Sequence, residues 1–260
     1  MSSARGFSGR DSSRGTGWRA GARVELSEQD GVRSLHLGSS MVQSAMRLAA
    51  PEALELAYTK CMMGFALFHP CPGHVMMIGL GGGSLTKFVY HRLPRTKTTV
   101  IEIDAQVVAT ARNYFFLPPD DDRLQVFVAE GGEYIGSHPY ATDVLMVDGF
   151  DDGLQAPSLC SQDFYNRARE ALKRNGLLVI NLLGSDKGFQ EYIRRIENSF
   201  PGNVATLKVE PHGNVIVFAF KHDPGKLVWE SLPERARKLE TDLGLPFTQF
   251  VRKLHRRKPS

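Results

Sequence analysis

Val75-Met76-Met77-Ile78 is a short apolar run that breaks into Gly79-Leu80-Gly81-Gly82-Gly83, and Val100-Ile101-Glu102-Ile103-Asp104 follows after a helical stretch. An apolar strand that turns through glycines into a helix and returns as a strand ending in a carboxylate is the outline of a nucleoside-binding βαβ unit. Glycines let backbone approach a ligand with no side chain in the way. Glu102 lies at roughly the 20-residue spacing at which a carboxylate accepts hydrogen bonds from ribose hydroxyls. The outline fits a dinucleotide or an adenosyl sulfonium, and two details favour the second. Ser84 stands where a dinucleotide loop places Gly or Ala, and no second βαβαβ half follows.

A parallel sheet covered on both faces is expected from the rest of the pattern. Strands are read at 75–79, 98–103, 124–128, 143–147 and 177–181, alternating with helices at about 84–92, 105–115, 161–174 and 186–199. Val204 to Lys208 and Val215 to Phe220 form a terminal antiparallel pair, which makes a doubly wound, mostly parallel, seven-stranded sheet of the methyltransferase type. Upstream, Arg23 to Leu26 and Arg33 to Leu37 alternate around Gln29-Asp30-Gly31 as a β-hairpin. Residues 51–69 read as a helix with Pro51 in its first turn. Four segments are expected: a disordered basic tail at 1–22, a hairpin unit at 23–50, the α/β domain at 51–245 and a basic end at 246–260.

Composition narrows the function. The 260 residues allow one sizeable core, and no apolar run reaches the roughly 20 residues of a membrane span. With no apolar centre of a secretory signal near Met1, a soluble, cytoplasmic protein is expected. Cys61, Cys71 and Cys160 make neither a disulfide framework nor a zinc pair. The net charge of +4 comes from the two ends, which hold ten bases and one acid; taken from the totals of 32 and 28, they leave a body with 22 bases against 27 acids. An acidic body suits a cationic small molecule better than nucleic acid.

In open α/β sheets ligands sit beyond the carboxyl ends of the strands, and three such ends carry acids here. Glu102 ends the second strand and Glu130 follows the third. Asp148 follows the fourth, with Asp151 and Asp152 a turn later. Glu130 suits an adenine amino group or caps the next helix. Asp148 directly follows a buried Leu-Met-Val run, where a carboxylate is costly unless a cation or donor meets it. Three neighbouring acids raise one another's pKa unless a cation is present. A polyamine-like amine is the natural counter-ion, a divalent metal its rival, and no His completes a transition-metal set.

These residues carry a resemblance to the spermidine/spermine synthase family, the polyamine aminopropyltransferases, from about residue 33 to 222. Asp148-Gly149-Phe150-Asp151-Asp152-Gly153 resembles the family's D-S-S/T-D-P-x-G loop, and Pro157 to Tyr165 its following segment. Val100 to Asp104 is similar to its V-E-I-D, and Gly213 to Lys221 to its closing strand. The resemblance implies a transferase of polyamine biosynthesis that moves an aminopropyl group from decarboxylated S-adenosylmethionine to an amine, as a homodimer and without a metal. Gln43, Gly79, Gly81, Gly83, Glu102, Ile103, Glu130 and Gly131 would hold the nucleoside co-substrate, and Tyr58 and Asp151 the amine. Asp148 would assist its deprotonation, and the 149–160 loop would exclude water as a lid.

Three departures bear on the amine. Gly82 replaces the aspartate of the family's G-G-G-D-G-G, Lys60 the acid of its Y-H/Q-E, and Glu210 a tyrosine near the last hairpin. They leave open a methyltransferase using intact S-adenosylmethionine, or a non-catalytic member that binds a nucleoside.

Overall fold

The computed structural model describes residues 24–38, 41–151, 154–211 and 213–257, without the side chains of Asp151 and Leu154. The expected tail at 1–22 and the loop acid Asp152 lie outside them. β1 (Val24–Gln29) and β2 (Val32–Leu37) pair through a two-residue turn, with Asp30 at φ 51° and Gly31 at φ 72°. Two consecutive positive φ values match the right-handed twist of the strands. The unit is more than a hairpin: β3 (Ser44–Arg47) adds a third antiparallel strand. Ser44, Ala45 and Met46 are buried, so this strand seats the small sheet on the large domain.

The expected helix at 51–69 is shorter. It begins at α1 (Ala57–Met62), after an extended Leu56, and tightens into a 3-10 turn at Met63–Leu67. There a Cβ on Gly64 would lie 2.9 Å from the ring of Phe218.

β4 (His74–Ile78), α2 (Ser84–Arg92), β5 (Lys97–Glu102), α3 (Ala105–Tyr114), β6 (Leu124–Val128), α4 (Gly131–Gly136) and β7 (Thr142–Val147) follow. The loop after β7 holds two-residue strands β8 (Phe150–Asp151) and β9 (Leu154–Gln155), and leads through a turn at Pro157–Cys160 into α5 (Gln162–Ala171). β10 (Leu172–Leu183), α6 (Phe189–Ser199), β11 (Val204–Lys208), β12 (Asn214–Phe220), α7 (Lys226–Leu243), α8 (Phe247–Lys253) and β13 (Leu254–Arg256) complete the chain.

The large sheet has eight strands in the order β13-β11-β12-β10-β7-β4-β5-β6. β10, β7, β4, β5 and β6 are parallel; β12, β11 and β13 are antiparallel to their neighbours. One more strand forms than the seven expected, because the basic C-terminal end contributes β13 beside β11. Both faces of the central strands are buried, as their unbroken apolar runs require, while the edge strand β6 leaves Phe127 and Val128 exposed. In β4, Val75 and Met77 belong to one core with α1, α2 and α7, while Met76 and Ile78 belong to the other with α5 and α6. The chain runs outward from β4 through β5 to β6, then returns to β7 on the other side of β4. That reversal places the ends of β4 and β7 side by side, at the switch point where open α/β sheets bind ligands.

Candidate active site

The glycine loop after β4 and the first residues after β7 are in contact. Gly79 has φ 92°, and a Cβ there would run into the carbonyl oxygen of Asp148. Gly131 is packed as tightly, since a Cβ on it would lie 2.5 Å from Ile78 Cγ2. The resulting cleft is lined by Gly79, Gly81 and Gly131, by Gln43 and Tyr58 from the N-terminal side, and by Ile103 and Leu159. Gly83 stands behind the loop, at the N-cap of α2 and against Leu117.

Glu102 is 8% exposed and braces the loop. Its Oε2 accepts from Leu80 N at 2.9 Å and its Oε1 from Asp104 N at 3.0 Å. Burial pushes its pKa up, and those backbone donors oppose the shift. Each carboxylate oxygen retains acceptor capacity toward the cleft. Asp104 beside it caps α3 by accepting from Gln106 N at 2.7 Å. Glu130 does what its position allowed in bland form: its Oε2 accepts from Glu133 N at 2.6 Å as the N-cap of α4. It also lines the cleft, so capping and ligand contact are compatible.

Asp148 ends a buried chain of polar groups. Asn181 Nδ2 donates to Asp148 Oδ1 at 3.0 Å, and Asn214 Nδ2 donates to Asn181 Oδ1 at 3.0 Å. From the other side the Tyr58 hydroxyl stands between the Gln43 carbonyl, at 3.2 Å, and the Asp148 carboxylate. Burial raises the Asp148 pKa above the ordinary carboxylate value, opposed by the Asn181 and Tyr58 hydrogen bonds. Burial and the neighbouring Asp148 charge hold the Tyr58 pKa well above its usual value, so it stays a neutral donor. Sequence reasoning missed Asn181 and Asn214. The signal was present in Leu177-Leu178-Val179-Ile180-Asn181-Leu182-Leu183, where one amide interrupts an apolar strand.

The departures resolve into packing. A Cβ on Gly82 would lie 2.8 Å from both Phe115 Cδ1 and Ser44 Oγ, so the volume of an acid there is already filled. Lys60 lines a separate groove with Glu52 and Arg92, away from the cleft. Glu210 pairs with Lys253 at 2.8 Å. Among the described residues, the charged side chains lining the cleft are all acids: Glu102, Asp104, Glu130 and Asp148. Behind the loop, Gln155 of β9 is 4% exposed, and neither of its amide atoms has a partner among the described residues.

A doubly wound sheet with a carboxylate bracing the first loop and acids at its switch point is the architecture of α/β transferases of the methyltransferase type. The spermine/spermidine synthase domain matches residues 55–210 of this chain. A polyamine aminopropyltransferase from Chromobacterium violaceum is 42% identical over 232 residues, 89% of this chain and 88% of that protein. The chain belongs to the spermine/spermidine synthase family. Among solved structures, human methyltransferase-like protein 13 in complex with SAH is 28% identical with a TM-score of 0.66, over 73% of this chain and 93% of that one. A probable spermidine synthase from Corynebacterium glutamicum shares the fold with a TM-score of 0.69 at 18% identity, over 91% of this chain and 93% of that one.

Proposed function

We propose that this cleft moves an aminopropyl group from decarboxylated S-adenosylmethionine to an amine, in polyamine biosynthesis. The observation that carries the choice of co-substrate is the sign of the lining. Intact S-adenosylmethionine would bring its carboxylate among four acids with no Lys, Arg or His among the described lining residues. The decarboxylated form brings a sulfonium and an ammonium, and a cationic acceptor is drawn in by the same charges.

Glu102 accepts from the ribose hydroxyls, with Ile103, Gly79 and Gly81 along the nucleoside. Glu130 and Gly131 stand at the adenine and Gln43 at the aminopropyl end. Tyr58 and Asp151 hold the amine. In the displacement, the amine nitrogen forms a bond to the carbon beside sulfur, the carbon–sulfur bond breaks, and a neutral thioether leaves. The nitrogen needs a free lone pair, and amine pKa values near 10 keep most of it protonated at neutral pH. Asp148 takes the proton, and its raised pKa makes it a stronger base than an ordinary carboxylate. Holding nitrogen and carbon in line supplies the larger part of the acceleration.

No helix of the described residues is long and apolar enough to cross a membrane; a cytoplasmic homodimer is part of the proposal. One observation favours a second reading. Gly82 removes an acid, and the Ser44 hydroxyl, 3.2 Å from Ser84 Oγ, lines the cleft and can turn its hydrogen to a carboxylate, while the Ser84 hydroxyl donates to Ala45 O at 3.3 Å. This would suit methyl transfer from intact S-adenosylmethionine.

Calorimetric titration with each form decides between them. Tighter binding of the decarboxylated form, with aminopropyl transfer to putrescine, spermidine or cadaverine and loss of at least about 100-fold in kcat for Asp148→Asn, is the expected outcome. Preference for the intact form selects the methyltransferase, and binding of neither refutes both.

A further inference from the structure

We infer that Asn214 is a positioning residue for the reaction: it fixes the side-chain amide of Asn181, and through it the Asp148 carboxylate. The inference rests on the proton-accepting role proposed for Asp148. Asn181 is 1% exposed and Asn214 is 9% exposed, so neither has water to fall back on.

The order of the donors follows from chemistry. An ionised carboxylate only accepts, so Asn181 must turn its Nδ2 toward Asp148. Its Oδ1 is then turned away, and whatever meets that oxygen must donate. Asn214 Nδ2 does so at 3.0 Å. The two amides come from strands that make this meeting reproducible: β10 pairs with β12 with Leu183 opposite Asn214 and Asn181 opposite Ile216, which places Asn181 and Asn214 diagonally on one face. Backbone bonds hold the Asn214 turn, with Val209 N donating to Asn214 O at 2.8 Å and Gly184 N to Gly213 O at 2.9 Å.

The relay has a polarity. It presents a donor to Asp148 as long as Asn181 keeps its orientation, and reversing that amide would put an oxygen against the carboxylate. Asn214→Asp is nearly isosteric and does this. An aspartate at 214 accepts from Asn181 Nδ2, so Oδ1 turns toward Asp148 and the donor becomes a repelling dipole. The described groups facing Asp148 are then Tyr58 from α1, the glycine-loop backbone after β4 and Asn181 from β10.

The experiment is the pH profile of kcat, beside a titration of Asp148 in the apoprotein by carbon NMR of labelled aspartate. Asn214→Asp is expected to move the acid limb of kcat and the Asp148 midpoint upward by about one pH unit, a roughly tenfold slower rate on that limb. Asn214→Leu, which removes the donor without adding charge, moves both the same way by less and serves if the aspartate variant does not fold. A residue that only stabilises the fold would lower Tm and leave both midpoints in place, and that result overturns the inference. If the native protein transfers nothing to any amine, the functional reading fails, while the NMR midpoint still decides the relay.

Discussion

Glu102→Gln separates the two tasks assigned to one carboxylate. In the apoprotein both oxygens accept from the backbone, Oε2 from Leu80 N at 2.9 Å and Oε1 from Asp104 N at 3.0 Å, with the Ile103 N–H also holding the carboxylate. Glutamine offers a single oxygen, so its NH2 must face one of those N–H groups across a nearly closed space. An unmet buried donor costs about 1–3 kcal/mol. Part of that is returned, because burial disfavours the native charge and a neutral amide escapes that penalty. A net stability loss of about 1 kcal/mol corresponds to a fall in Tm of roughly 2–4 °C for a chain of this size. Co-substrate binding loses more, since one of two hydroxyl bonds to a charged acceptor goes, worth about 1.5–3 kcal/mol, or roughly 10- to 150-fold in Kd. Calorimetry with decarboxylated S-adenosylmethionine, beside thermal melts, reads both. The pH dependence has a defined sign. A carboxyl whose folded pKa is raised binds its proton more tightly when folded, so its contribution to stability is full below the unfolded value and is lost as pH rises through the folded one. Glu102→Gln should flatten that part of the apoprotein's stability curve, just above the ordinary carboxylate range. An affinity unchanged within about threefold, in a protein that remains folded, would refute the ribose role and leave Glu102 as a brace for the glycine loop.

Lys87 is 1% exposed, with Nζ donating to Phe115 O at 2.6 Å, and burial lowers its pKa to about 8. The folded state then releases the proton first, so stability should rise between about pH 8 and 10.5 by roughly 3 kcal/mol. Denaturant melts at both ends should show the rise in the native chain and lose it in Lys87→Met; equal slopes would exclude it. Gln155→Leu removes two buried partnerless amide atoms and should stabilise the protein by about 1–2 kcal/mol, read as a higher Tm. A lower Tm would mean that the amide has a partner. Gly82→Asp should destabilise by about 1–3 kcal/mol, because Phe115 and Ser44 fill the space, with no gain in amine affinity by KM. Improved amine binding in a stable variant would contradict the packing account.

Glu102 and Asp148 were legible because each is a carboxylate at the carboxyl end of a buried apolar strand, and the chain direction of a parallel sheet puts all such ends on one edge. The parallel run of the central strands was legible as well, because short apolar strands alternate with amphipathic helices. The periphery was not. β3 and β13 have four and three residues and owe their pairing to strands already formed, leaving little local pattern to read. α7 carries Pro233 within its 18 residues, which breaks a sequence reading of a helix. Yet Leu232, Ala236, Leu239 and Leu243 share a buried face, and packing overrides the local penalty. Asn181 and Asn214 escaped for another reason: neutral amides leave no charge pattern, and their meeting depends on the β10–β12 register.

The same distinction governs the departures from the family pattern. Read along the chain, Gly82 and Lys60 look like an acid lost and a cation gained at the amine. In three dimensions Lys60 lies in another groove, and Gly82 lies where Phe115, fully buried, and Ser44 close the space. A one-dimensional tally of charges at motif positions therefore overstates the change. The cleft's electrostatics are set by the acids that reach it, and Glu102, Asp104, Glu130 and Asp148 all do. On the proposed function, a site with that lining should still favour positive charge without the acid that Gly82 replaces. What Gly82 alters is shape near Ser44, so differences from other family members should show in the length and branching of the amine accepted before they show in its charge.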